Sequence, residues 1–148
     1  MGLLPQSTNS QYRGSPWSAA FLGLTAVFTI APGCIHYFLP DGGAGVIAGL
    51  DLSVHRAVIV GIFAWMGATQ IAYGVAELFV ALRYRSLAPL FLLLALMERS
   101  LAAVAAWVTK GSGALHHPPE AYGVLVATPL LLGFFVLSLR PRGPDRRD

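Results

Sequence analysis

The chain has 148 residues, 55% of them hydrophobic and only 11% charged, well below the charged fraction of roughly 25% in soluble domains. Its formal charge of +3 is small, and its basic residues flank apolar runs, which excludes nucleic-acid binding and leaves an integral membrane protein in a lipid bilayer. A single cysteine, Cys34, excludes an intramolecular disulfide and a cysteine-based metal cluster.

Residues 1–16 are polar and are expected to form a mobile cytoplasmic tail. Gln6 stands where a myristoylation signal needs Ser or Thr, so Gly2 is no lipid site. Residues 17–139 then hold four apolar segments that reach the roughly 20 residues needed to cross a bilayer. The first, 17–39, carries Pro32-Gly33, expected to interrupt the helix near its far end. Arg13 with Ala31-Pro32-Gly33-Cys34 loosely imitates a lipoprotein signal, but the proline and the continuing Ile35, Tyr37 and Phe38 favour a retained helix.

The loop 40–56 contains Asp41-Gly42-Gly43-Ala44-Gly45, which lacks the strand that a nucleotide fingerprint requires. Its Val46-Ile47-Ala48 suggests a piece lying in the membrane interface or over the bundle mouth, and Ser53 is the expected cap of the next helix. The second span is 57–82. A short turn, Arg83-Tyr84-Arg85-Ser86, joins it to the third span, 87–109, as a tight antiparallel hairpin. His117-Pro118-Pro119-Glu120 reads as a helix start, with proline in the first turn and a carboxylate near the positive helix end. The fourth span, 121–139, follows. The basic tail 140–148 suits an anionic inner leaflet.

Positive charge sets direction. Arg13, Arg83, Arg85, Arg140, Arg142, Arg146 and Arg147 fall on one side of a four-span layout, and only Arg56 and Lys110 on the other. The positive-inside rule therefore predicts an all-α, four-transmembrane-helix antiparallel bundle with both termini cytoplasmic.

Glu98-Arg99, at the centre of the third span, is the strongest functional signal, because ionisable groups inside a membrane are costly and mark sites. Counting about 1.5 Å per residue from the turn places Gln70 opposite Arg99 and Thr69 opposite Ser100, with Thr29 and Thr128 at a similar depth. Adjacent helical residues diverge by about 100°, so Glu98 and Arg99 are expected to find separate partners. Glu77 is the acidic candidate for Arg99, about 10 Å nearer the cytoplasm. Met66, Gln70, Tyr73, Gly74 and Glu77 share one face of the second span. Ala64, Ala68, Ala72 and Ala76 form a smooth stripe on roughly the opposite face, suited to helix association.

Three functional readings follow. The first is a non-enzymatic structural or accessory subunit that packs with a membrane-protein partner or with itself through the alanine stripe, its polar layer serving as a structural network. The second is a lipid- or small-molecule-binding bundle with a polar pocket formed by Gln70, Tyr73, Glu77, Glu98 and Arg99, which requires a cavity beside Arg99. The third is an outward metal site using His36, His55, His116 and His117 with nearby Asp41, Asp51 and Glu120, although the spacing matches no compact zinc, copper or nickel motif. No nucleophile constellation is present, since Cys34 and His36 lack an orienting third group.

Four spans, the Pro32-Gly33 element closing the first helix and the Arg-rich turn at 83–86 resemble small bacterial DoxX-like membrane proteins. That resemblance implies a four-helix bundle in the bacterial inner membrane, working beside other membrane or redox proteins without a defined chemistry of its own. It assigns no residue a role.

Overall fold

The computed structural model describes residues 4–114 and 116–141. Arg142, Arg146 and Arg147, and the anchoring role expected of the basic tail, lie outside the described residues. Among the described residues the chain is all-helical, with four helices long and apolar enough to cross a membrane. They are α1 (Pro16–Phe38), α2 (Arg56–Arg83), α3 (Ala88–Val104, continued by a π turn at Ala105–Thr109) and α4 (Pro119–Leu139).

The helix starts follow from proline. Pro16 and Pro119 open α1 and α4, and Pro89 sits in the first turn of α3, where the missing N–H has no helical acceptor to lose. Leu39, extended at ψ 145°, ends α1 immediately before Pro40. Ser53 does not cap α2. Its amide and hydroxyl both bind the Asp51 carboxylate, and His55 in the left-handed region (φ 59°) precedes the helix instead.

Pro32-Gly33 does not interrupt α1, which runs unbroken through both residues. The pair marks a close contact. A Cβ at Gly33 would sit 2.9 Å from the Gln70 Cβ, one at Gly67 would sit 2.7 Å from the Gly33 carbonyl oxygen, and one at Gly74 would sit 2.6 Å from Ile30. Three glycines thus let the α1 and α2 backbones approach, making this the most extensive helix pair.

The second pair is α3 with α4, tied at one end by the Trp107 indole N–H donating to the Ala121 carbonyl at 2.8 Å. The expected hairpin of the second and third spans is therefore corrected. α2 and α3 share the turn at 83–87 but make few contacts along their lengths, because α2 spends its glycine face on α1. The pairs meet through Leu22, Val80, Ala81, Ala88, Leu92, Ala95 and Leu131. At the opposite end from Trp107, Phe21 stacks on Phe134 at 4.0 Å, and the Ser18 hydroxyl donates to the Phe134 carbonyl. Consecutive helices run antiparallel, so α1 begins and α4 ends at the same end of the bundle, the tail end.

The alanine stripe is not the buried face of α2. Ala68 and Ala72 are exposed, and Ala64 and Ala76 are half-buried. The residues of α2 that bury are Gly67, Gly74, Glu77, Val80 and Ala81.

Residues 5–12 were expected to be mobile and are instead a strap across the α2–α3 turn. Asn9 donates to the Leu82 carbonyl at 2.8 Å and accepts from the Arg85 amide at 3.2 Å. The Ser7 hydroxyl and the Thr8 amide both bind the Arg83 carbonyl, the Arg83 guanidinium and the Tyr84 hydroxyl bind the Pro5 carbonyl, and the Ser86 hydroxyl donates to the Thr8 hydroxyl. Carbonyls that every helix C-terminus leaves unpaired are satisfied here by the chain's own N-terminal polar residues. Asn9→Ala should cost about 1 kcal/mol, read as a lower unfolding midpoint in detergent and faster proteolysis ahead of residue 16.

Candidate functional site

A cavity of about 430 Å³ lies between α1, α3 and α4, with Glu77 of α2 at its inner wall. It extends along α1 from Phe21 to Pro32, about 16 Å at the helical rise. The walls are mainly apolar, and Glu98 and Arg99 of α3 border it midway. Leu24, Phe28, Val126 and Leu130 line it while also being exposed on the outer surface, so it opens sideways between α1 and α4. The opening lies beyond the point where Phe21 and Phe134 hold those two helices together.

Glu77 is only 1% exposed, and its Oε2 has no hydrogen-bond partner. Arg99 does not supply one. Its Nε lies 3.1 Å from Glu98 Oε2, and its Nη1 donates to Glu98 Oε1 at 3.4 Å. The expectation that these neighbours could not neutralise each other is therefore corrected: both side chains are long enough to fold back across the 100° between their Cα–Cβ bonds. The pair sits at the cavity rim, with Arg99 half-buried and Glu98 54% exposed.

The depth difference expected between Glu77 and Arg99 does not separate them. Helical side chains lean toward their own N-terminus. In antiparallel α2 and α3 that tilt carries Glu77 away from the tail end and Arg99 toward it, so both reach the same cavity. Tyr73 stacks on Phe91 at 6.1 Å, and its hydroxyl and the Gln70 Oε1 are also buried without partners. Gln70 and Tyr73 do not line the cavity.

The remaining polar-layer expectations divide. Thr29 lines the cavity, its hydroxyl donating to the Thr25 carbonyl one turn back. Thr69 and Thr128 spend their hydroxyls on the Trp65 and Val124 carbonyls of their own helices. Ser100 is half-buried beside Arg99 and does not line the cavity. Sequence reasoning missed the α1 and α4 walls, Phe21, Thr25, Phe28, Ala127 and Leu131 among them. It also placed Glu120 with the histidines, whereas Glu120 lines the far end of the cavity. The one available signal was Thr25 and Thr29, one helical turn apart in the otherwise apolar stretch 19–33.

The histidines are not gathered. His36 is buried, with Nδ1 2.8 Å from the Gly42 carbonyl and its ring edge-on to Phe63. His55 precedes α2 on the surface, His116 is exposed near Gly49, and His117 stacks on Trp107 at 4.1 Å. Among the described residues no group of three or more His, Cys, Asp or Glu side chains is placed to hold a metal ion. His36 and His117 serve local packing instead.

The same end is closed by the loop after α1. Asp41 accepts from the amides of Val46, Gly43 and Gly45, which hold its carboxyl below the usual carboxylate range. Gly42 and Gly43, at φ 64° and 76°, make the tight turn this requires. With Gly42, Gly43, Ala44 and Ala48 buried, the loop covers the α1–α2 end and leaves Val46 outward.

Comparison with protein-family models, curated proteins and solved structures finds no match for this chain, so its site is read from its own residues and geometry.

Proposed function

We propose that this protein is a membrane-embedded binding protein for an amphiphilic, lipid-soluble small molecule. The ligand slides in between α1 and α4, lays its apolar part against Phe21, Phe28, Val124 and Leu131, and presents its polar end to Glu77 beside Glu98 and Arg99. The observation that carries this reading is a buried carboxyl with an unpartnered oxygen on the wall of a roughly 430 Å³ apolar cavity. A structural network would satisfy its polar groups internally, because a half-satisfied one is worse than an apolar core. The cavity size lies within the range of small-molecule sites.

The arginine distribution supports a bundle with its tail end cytoplasmic, so that the Asp41 loop faces outward, and the layout's resemblance to small bacterial membrane proteins favours the bacterial inner membrane. Association with a partner or a second copy through exposed Ala68 and Ala72 involves a different face of the bundle and leaves the cavity free.

Photolabelling tests the binding reading. In liposomes, an alkyl diazirine alcohol should label cavity residues of α1 and α4 in preference to other lipid-facing positions. Ala127→Phe, which fills the cavity from a half-buried wall position, should reduce that labelling about tenfold while leaving the fold intact. Even labelling over all outer faces, unchanged by Ala127→Phe, would overturn the proposal.

A further inference from the structure

The charges around the cavity do not balance. Four ionisable side chains line it: the carboxyls of Glu77, Glu98 and Glu120, and the guanidinium of Arg99. Arg99 is engaged with both oxygens of Glu98, so that pair is neutral as a unit. What remains is acidic, with Glu77 deep in the wall and Glu120 at the far end.

Glu77 is the residue that needs explaining. On its own helix it is near Tyr73, which carries no charge when its hydroxyl is intact. α3 presents Glu98 and Arg99, already paired. α1 presents Thr25 and Thr29, which do not titrate, and α4 contributes only Glu120. No neighbouring cation is uncommitted among the described residues. In apolar surroundings a carboxyl without a cation stays neutral rather than bear an isolated charge, and one given a cation ionises.

The geometry points to a lipophilic organic cation, an amine or quaternary ammonium carried on an apolar body, as the ligand, bound at Glu77 in exchange for the Glu77 proton. This rests on the cavity being a binding site and names its ligand class. The exchange balances: the Glu77 O–H bond breaks, the proton passes to water, and the carboxylate left behind pairs with the incoming cation. No redox partner is involved. Phe21 and Phe28 add aromatic faces at the same cavity, and an ammonium is attracted to such faces when water is excluded. An anionic ligand would meet Arg99 only by displacing Glu98, and would add negative charge beside Glu77.

Proton and cation compete for one group, so cation affinity falls as pH falls. Neutral ligands of the same shape lack this dependence.

The test uses the full-length protein in nanodiscs of zwitterionic lipid, with three probes competing against the diazirine alcohol: benzyldimethyloctylammonium, the neutral benzyl octyl ether, and octanoate. The cation should bind at least about tenfold more tightly than the ether and octanoate. In weakly buffered solution it should release up to about one proton per cation bound, while the ether releases none. Glu77→Gln should remove both the cation preference and the proton release while retaining ether binding. If the variant fails to fold, the comparison of probes on the unaltered protein still decides. Equal binding of cation and ether without proton release would overturn the cation inference and leave the cavity reading standing. Tighter binding of octanoate would overturn it in favour of Arg99 as the recognition group. Failure of all three probes to compete would bring down the cavity reading and this inference together.

Discussion

Gly67→Ala should destabilise the bundle by about 1–3 kcal/mol, the cost of forcing an added methyl into a filled contact. The sign is not obvious in advance, because alanine favours a helix over glycine by about 1 kcal/mol. Geometry decides it. The new methyl would lie 2.7 Å from the Gly33 carbonyl oxygen and 2.8 Å from the Tyr37 amide nitrogen, both backbone atoms that no rotamer change moves aside. α1 and α2 must separate, and every contact along the pair loosens. Gly61 on the same helix is the control, since nothing lies within 4 Å of a Cβ there. Gly61→Ala should be neutral or slightly stabilising. Unfolding both variants in mixed micelles, followed by tryptophan fluorescence, checks the contrast, and equal midpoints would refute the close-packed pairing.

Glu77→Met should act in the opposite direction and raise stability by about 1–3 kcal/mol, the typical penalty for a buried polar group lacking its partner. Methionine is similar in length, flexible and apolar, so it fits the same wall without a cavity. Gain of stability with loss of the cation preference would identify Glu77 as a group kept for binding at a cost to the fold. A variant less stable than the parent would show that the carboxyl supports the bundle. The same micelle unfolding, run without ligand, distinguishes the two.

Length and hydropathy made the four helices legible, with their ends lying within a few residues of Pro16, Arg83, Pro119 and Leu139. Which helices pair was not legible. The short turn after Arg83 suggested a hairpin of the second and third spans, whereas the decisive residues were Gly33, Gly67 and Gly74. Glycine leaves no hydrophobic pattern, and a spacing of seven between Gly67 and Gly74 becomes visible only once Gly33 lies against them. The alanines at four-residue intervals were the more conspicuous small residues, and of these Ala68 and Ala72 face outward. Glu77, Glu98 and Arg99 were legible because charge in an apolar run stands out. The α1 and α4 walls were not, because Phe28 or Ala127 facing a cavity looks the same in sequence as one facing lipid.

Each helix pair is made of neighbours in sequence, α1 with α2 and α3 with α4, while the cavity lies where the two pairs come together. As the chain leaves the ribosome, the first hairpin can close on its glycines before α3 exists, and the second can form beside it later. Only the last event, the docking of one hairpin onto the other, creates the cavity. At the tail end the two hairpins are secured by the Phe21–Phe134 stack and by the strap over residues 82–86. Clamped in this way at the tail end, the bundle would admit the proposed guest by spreading the other ends of the hairpins, without breaking either one.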